Sequence, residues 1–213
     1  MDDELSKVMT ERKITIAART MSILFTPFYL PIVGLVALLI FSYLSILPLA
    51  YKLKLLLLVY LFTVLIPTVL IRIYRIYQGR TRLDIGQKEQ RMVPYLISIL
   101  CYFACYYIME WFHIPHIISI VLLIALLIQV LCAVINVWWK ISTHTAAIGG
   151  VAGGLMAFSL IFSFNPVWWL SLVIIVAGMV GTSRIILRQH TLSQVIAGFL
   201  LGLLCAFFLI IRF

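Results

Sequence analysis

Residues 115–164 read PHIISIVLLIALLIQVLCAVINVWWKISTHTAAIGGVAGGLMAFSLIFSF. Two apolar runs, 115–139 and 143–164, flank one short polar break from Lys140 to His144. Each run can cross roughly 30 Å of hydrocarbon at about 1.5 Å per residue. The runs are continuous rather than alternating, which selects helices over a closed barrel. The stretch therefore reads as a helical hairpin within a bilayer.

The same pattern extends in both directions. Further apolar runs lie at 21–47, 53–74 and 93–112 before the hairpin, and at 166–183 and 190–211 after it. The run at 166–183 is the shortest. Trp111, Trp138, Trp139, Trp168 and Trp169 fall near run ends, as an interfacial aromatic belt requires. The expected fold is all-α, a polytopic transmembrane bundle of six to seven spans. Residues 21–213 form a single transmembrane domain. Residues 1–20 form a polar N-terminal segment, readable as an interfacial helix or as a frayed terminus.

Composition agrees. The hydrophobic fraction is 64% and the charged fraction 11%, with a mean hydropathy of +1.17. A soluble domain is about half apolar and about a quarter charged, and a short soluble fold could not hide this much apolar surface. The net charge is +9, from 16 Lys+Arg and 7 Asp+Glu. These cations sit between apolar runs, so they read as flank charges facing headgroups and not as a nucleic-acid surface. Cys101, Cys105, Cys132 and Cys205 all lie inside apolar runs and form no CxxC pair, which points away from disulfides and metal ligands. The mixed-charge stretch before residue 20 is not expected to be a cleavable signal.

Small residues cluster at Ala146, Gly149, Gly150, Gly153 and Gly154, and Gly198 and Gly202 repeat the four-residue spacing. That spacing admits a second helix backbone at close range, within one bundle in preference to a dimer. Gln129 and Asn136, inside the run at 115–139, are expected to hydrogen-bond between helices.

Three polar breaks share one membrane face in this scheme: Tyr77–Pro94, Lys140–His144 and Ser183–His190. Helical hairpins separate them, so each hairpin returns the chain to that face. Together they bring Lys88, Arg91, Ser142, Thr143, His144, Arg184 and His190, with few carboxylates. Such a set suits phosphate. Arginine offers a planar fork of donors and lysine a point charge. Ser142 and Thr143 stand before a helix start, where free N–H groups favour anions. Two histidines can supply a nucleophile and a proton donor. His113 and His116 fall on the opposite face and read as interfacial.

The pattern resembles the type 2 phosphatidic acid phosphatase (PAP2) superfamily. Ser183-Arg184, five residues, then His190 is similar to its third signature, SRxxxxxHxxxD. Ser142-Thr143-His144 resembles the second, PSGH. Lys88-x-x-Arg91-x-x-Pro94, with Asp84 upstream, resembles a variant of the basic first, KxxxxxxRP. The resemblance covers about residues 80–205. It implies a membrane lipid phosphatase needing no metal and no cofactor, because side chains supply the cations. His190 would form a phosphohistidine, and His144 would protonate the leaving oxygen and then activate water. Lys88, Arg91, Ser142, Thr143 and Arg184 would hold the phosphate. The implied partner is a lipid phosphate within the membrane, namely phosphatidate, phosphatidylglycerol phosphate, an isoprenyl pyrophosphate or a lipid A phosphate. The implied setting is a bacterial cytoplasmic membrane.

This chain departs from the pattern in three places. Ile141 and Thr143 stand where the second signature has proline and glycine, and a turn needing positive φ would be strained at Thr143. The first signature lacks its usual spacing, leaving Arg80 and Arg82 as rivals of Lys88 and Arg91. Gln194 replaces the aspartate one helical turn after His190. Its amide oxygen can accept the ring N–H and keep the tautomer, but it cannot neutralise a cation. Loss of the analogous charge in a serine-protease triad costs about 10⁴ in rate, so Asp84 or Glu89 could be standing in. The alternative is a catalytically weak or inactive member of this fold that binds a phospholipid or a partner protein. A prenyltransferase would need clustered aspartates for Mg²⁺, and the chain has only Asp2, Asp3 and Asp84.

Topology sets two expectations against each other. The motif face would carry 13 of the 16 basic residues, leaving Lys52, Lys54 and Arg212 on the other. That places the motifs in the cytoplasm by the positive-inside rule, whereas bacterial members of the resembled family usually work on the outer face.

Overall fold

A computed structural model describes residues 2–81 and 87–212, with side chains for residues 11–78 and 92–212. The described elements are α1 (Asp2–Leu24), α2 (Leu30–Phe41), α3 (Leu49–Tyr60), α4 (Ile66–Thr81), α5 (Gln87–Trp111), α6 (His116–Trp138), α7 (Thr143–Phe162), α8 (Val167–Ile186) and α9 (Leu192–Arg212). A short 3₁₀ turn, Tyr43–Ile46, follows α2, and a π turn, Leu61–Leu65, joins α3 to α4. No strand occurs among the described residues.

Six helical stretches are long and apolar enough to cross a membrane: Leu49–Gln78, Met92–Trp111, His116–Trp138, Thr143–Phe162, Val167–Ile186 and Leu192–Arg212. The chain is an all-helical integral membrane bundle. The short run at 166–183 lies in a 20-residue helix, Val167–Ile186, long and apolar enough to cross. Large apolar side chains coat the outside, and Trp111, Trp138 and Trp168 stand exposed at helix ends, where a bilayer interface accepts them.

The first apolar run corrects the sequence expectation, because it is not one continuous helix. α1 stops at Leu24, and helix resumes only at Leu30. Pro27 has no N–H to bond the preceding turn, and it biases Thr26 away from helical backbone. α2 has 12 residues, about 18 Å of helix, too short to cross alone. The two pieces still travel the full bundle. Ser22 meets Arg184 at one end, and Phe41 stacks on Phe164 at the other, with centroids 5.0 Å apart. α1 runs through the expected boundary at residue 20. It packs on α8, with Ala18 and Ser22 buried.

The π turn has a local cause. Pro67 cannot donate to Thr63 O, and the wider turn absorbs the missing bond. The Thr63 hydroxyl donates to Val59 O at 2.8 Å, one turn back along the same helix.

α7 and α9 form the tightest helix pair. A Cβ added at Gly149, Gly153 or Gly202 would collide with the carbonyl oxygen of Phe199, Leu203 or Ala146, respectively. The glycine pattern thus serves an interface inside the bundle. At the end away from the motifs, the Ser119 hydroxyl donates to Glu110 Oε1 at 2.8 Å, and His116 lies 3.9 Å from the same carboxylate. Glu110 is a local partner at a helix turn. Among the cysteines, Cys101, Cys105 and Cys132 are buried free thiols, and Cys205 is a half-buried one.

Candidate active site

Three helix junctions build the site. The first lies between α6 and α7. Asn136, in the last turn of α6, accepts from Ile141 N–H through Oδ1 at 3.2 Å, which fixes the four residues before α7. Its Nδ2 donates to the Tyr95 hydroxyl of α5 at 2.7 Å. Thr143 lies within bonding reach of the same hydroxyl. Tyr95 is a residue that sequence reasoning missed. Its signal was its place directly after Pro94, with the polar Asn136 inside an apolar run.

Ser142 caps α7. Its hydroxyl accepts from Thr145 N–H at 3.5 Å, and the residue is fully buried. It serves the helix start and does not line the cavity, whereas Thr143 does. Thr143 takes no left-handed backbone: the positive-φ residues other than glycine are His113, Ser163 and Arg188 among those described. The position where the resembled signature has glycine is here an ordinary first helical residue, so the expected strain does not arise.

The second junction joins α8 to α9. Arg188 has φ 52°, and this left-handed residue turns the chain so that Gln189 and His190 both donate N–H to Arg184 O, at 3.1 and 3.4 Å. The turn therefore ties Arg184 to His190 through the backbone. In the first turn of α9, Gln194 Oε1 accepts from Thr191 N–H at 3.2 Å and lies 3.2 Å from His190 Nδ1. An oxygen that already accepts an amide proton accepts from Nδ1–H as well. This assigns the proton to Nδ1 and leaves Nε2 with its lone pair. The Ser142 N–H bonds Gln194 O at 3.3 Å, so the second and third motifs are joined directly.

The third junction is the end of α1. Arg184 donates from Nη1 to the Ser22 hydroxyl at 2.7 Å. Arg184 Nε and His144 Nδ1 are buried with no hydrogen-bond partner. His144 lies within electrostatic reach of both Arg184 and His190. Burial, then the charge of Arg184, pushes the His190 imidazole down to about 4. The Gln194 bond pulls the other way, and the charge of Lys140 adds to the fall. His190 is therefore neutral at pH 7.

His144, Arg184, His190, Thr143 and Lys140 line the mouth of one cavity of about 940 Å³. Lys88 and Arg91 lie in the first turns of α5, where their side chains fall outside the described residues, and Asp84 lies outside them altogether. No cluster of metal-ligating side chains occurs among the described residues.

Residues 136–213 match the family model of the PAP2 superfamily. Over this stretch the chain is similar to the PAP2 superfamily, a group of phosphatase type. The PAP2 region begins at Asn136, the residue that holds the α6–α7 turn, and takes in both histidine-bearing junctions. It does not reach Lys88 or Arg91. No curated protein and no solved structure matches the chain.

Proposed function

We propose that the protein is a membrane-bound lipid phosphatase that releases phosphate from a lipid phosphomonoester or pyrophosphate through a phosphohistidine. The observation that carries this reading is the pair of buried, unpartnered nitrogens, Arg184 Nε and His144 Nδ1, beside a neutral His190 at the mouth of a bundle cavity. Unpartnered buried polar groups cost about 1–3 kcal/mol each, and a phosphate offers the acceptors that relieve them.

In this reading His190 Nε2 attacks phosphorus, and the bond to the lipid oxygen breaks. His144 gives that oxygen a proton, releasing the lipid alcohol. Water then attacks the phosphohistidine, passes its proton to His144, and inorganic phosphate leaves. Arg184, with Lys88, Arg91 and Thr143, holds the equatorial oxygens, where charge concentrates in the transition state. Gln194 fixes the tautomer. Ser142 acts indirectly, by fixing the start of α7. The setting is a cytoplasmic membrane, with the lipid entering laterally between helices.

A second reading rests on Gln194: a protein of the same fold that binds a phospholipid or a partner without turning it over, since the amide cannot offset an imidazolium. The deciding experiment is phosphate release by purified protein in liposomes, with EDTA present, beside His190→Ala. Release from the parent and none from the variant supports the phosphatase. No release from folded parent protein, with lipid still bound, supports the second reading.

A further inference from the structure

Arg75 lines the cavity, although no motif accounts for it. It lies in α4, outside the stretch 136–213 that matches the family model. The residue is exposed, and an exposed residue that also lines a cavity sits at its rim. Arg72, one turn earlier on the same helix, is exposed too but does not line the cavity. An arginine at a membrane boundary ordinarily snorkels to the headgroups, as Arg72 is free to do. Arg75 faces the site as well.

The charge around the cavity is one-sided. Among the described residues that line it, Arg75, Lys140 and Arg184 are cationic and none is Asp or Glu. The carboxylates with described side chains are Glu11, exposed on α1, and Glu110, paired with His116 at the far end of the bundle. Neither neutralises the mouth. Low-dielectric walls focus such a field toward an incoming anion.

The three cations do not share one task. Arg184 is bonded to Ser22, and its charge and that of Lys140 are the ones that lower the His190 imidazole. These two stand near the nitrogen that would attack phosphorus. Arg75 is not among the charges that shift His190, and it arrives from another wall. α4 packs on α5, whereas His144 and His190 stand on α7 and at the α8–α9 turn. A phosphate placed for attack lies with Arg184 and Lys140 and leaves Arg75 to a different group.

We infer that Arg75 forms a second anion subsite, which holds an oxyanion in the part of the lipid headgroup that does not react. Its planar fork of donors suits phosphate or carboxylate oxygens. The inference rests on the lipid-phosphatase reading for the place of the reacting phosphate, and it gives α4 a share in selecting the headgroup.

The test measures binding without turnover. His190→Ala silences the nucleophile in the full-length protein in detergent, and hexadecyl diphosphate is compared with hexadecyl monophosphate, which has the same tail. In this background the diphosphate is expected to bind about five- to tenfold more tightly, the yield of one charge-assisted hydrogen bond at an open site. Adding Arg75→Gln is expected to bring the two within about twofold by weakening the diphosphate alone. Arg75→Lys should keep part of the preference and Arg72→Gln all of it. Equal binding of the two lipids before Arg75 is changed overturns the inference, as does a preference that survives Arg75→Gln. So does an equal loss for both lipids, which is the behaviour of a flank charge, an equal effect of Arg72→Gln, or failure to bind either lipid. Phosphate release by the parent protein, measured separately, tells failure of this assignment from failure of the phosphatase reading.

Discussion

Arg184 donates a 2.7 Å hydrogen bond to Ser22, a residue 162 positions earlier in the chain. The bond joins the end of the N-terminal helix to the centre of the third motif. It uses one nitrogen of the guanidinium and leaves the buried Nε without a partner. Ser22 is thus a positioning residue for a cation that would hold phosphate. Ser22→Ala is expected to lower kcat/KM for phosphate release about tenfold, with Ser22→Thr retaining most activity. A bond to a charged group is worth about 1.5–3 kcal/mol, and part of it returns through rearrangement. An alanine variant as active as the parent would show that Ser22 does not orient Arg184.

Gln194 offers a second prediction. Its Oε1 already sits 3.2 Å from His190 Nδ1, so Gln194→Asp puts a charged acceptor on that side of the ring, on a stem one methylene shorter. The carboxylate favours the cationic imidazole that forms as His190 Nε2 bonds phosphorus. The aspartate variant is expected to release phosphate about ten- to a hundredfold faster. Gln194→Leu, which loses both the bond and the tautomer, is expected to be nearly inactive. Single-turnover trapping of phosphohistidine reads both. An aspartate variant slower than the parent would break the argument.

The ionisation of His190 can be read directly. Its folded value is about 4, against 6.5 for the ordinary group. Between those limits the unfolded chain takes up a proton that the folded chain refuses. The stability that this position contributes is therefore complete above about 6.5 and is lost as pH falls toward about 4. NMR of selectively labelled histidine in micelles is expected to place the midpoint near 4. Arg184→Gln should move it upward, because one of the two largest causes is gone. A midpoint near 6.5 in the parent would show that neither burial nor Arg184 lowers the imidazole.

Packing supplies a fourth prediction. Gly202 lies so close to Ala146 O that a Cβ has nowhere to go, while Gly178 has open space around it. Gly202→Ala is expected to lower the thermal midpoint by several degrees in detergent, from about 1–3 kcal/mol of overpacking. Gly178→Ala should be neutral or slightly stabilising, from the helix-propensity gain of up to about 1 kcal/mol. Equal responses of the two would deny that α7 and α9 meet backbone to backbone.

Much of this molecule was legible in the chain itself. Continuous apolar runs located the long membrane-type helices, though not their ends, because hydrocarbon tolerates no unpaired backbone. The four-residue glycine spacing announced a close helix contact. His144, Arg184 and His190 were readable because polar side chains at hairpin ends have few places to be.

Other features needed the folded bundle. The break at Phe25–Tyr29 turns a 27-residue apolar run into two pieces, and hydropathy cannot see a missing N–H at Pro27. Ser142 looked like a phosphate donor, yet its hydroxyl is consumed by the start of its own helix. Thr143 looked strained, but the α7 start places it in ordinary helical backbone. Ser22, Arg75 and Tyr95 acquire their meaning from neighbours far along the chain. Sequence determined which segments enter the membrane, because that depends on local transfer energy. Only tertiary structure decided which polar atoms are left without partners around the cavity, because hydrogen bonding depends on every helix that comes within reach.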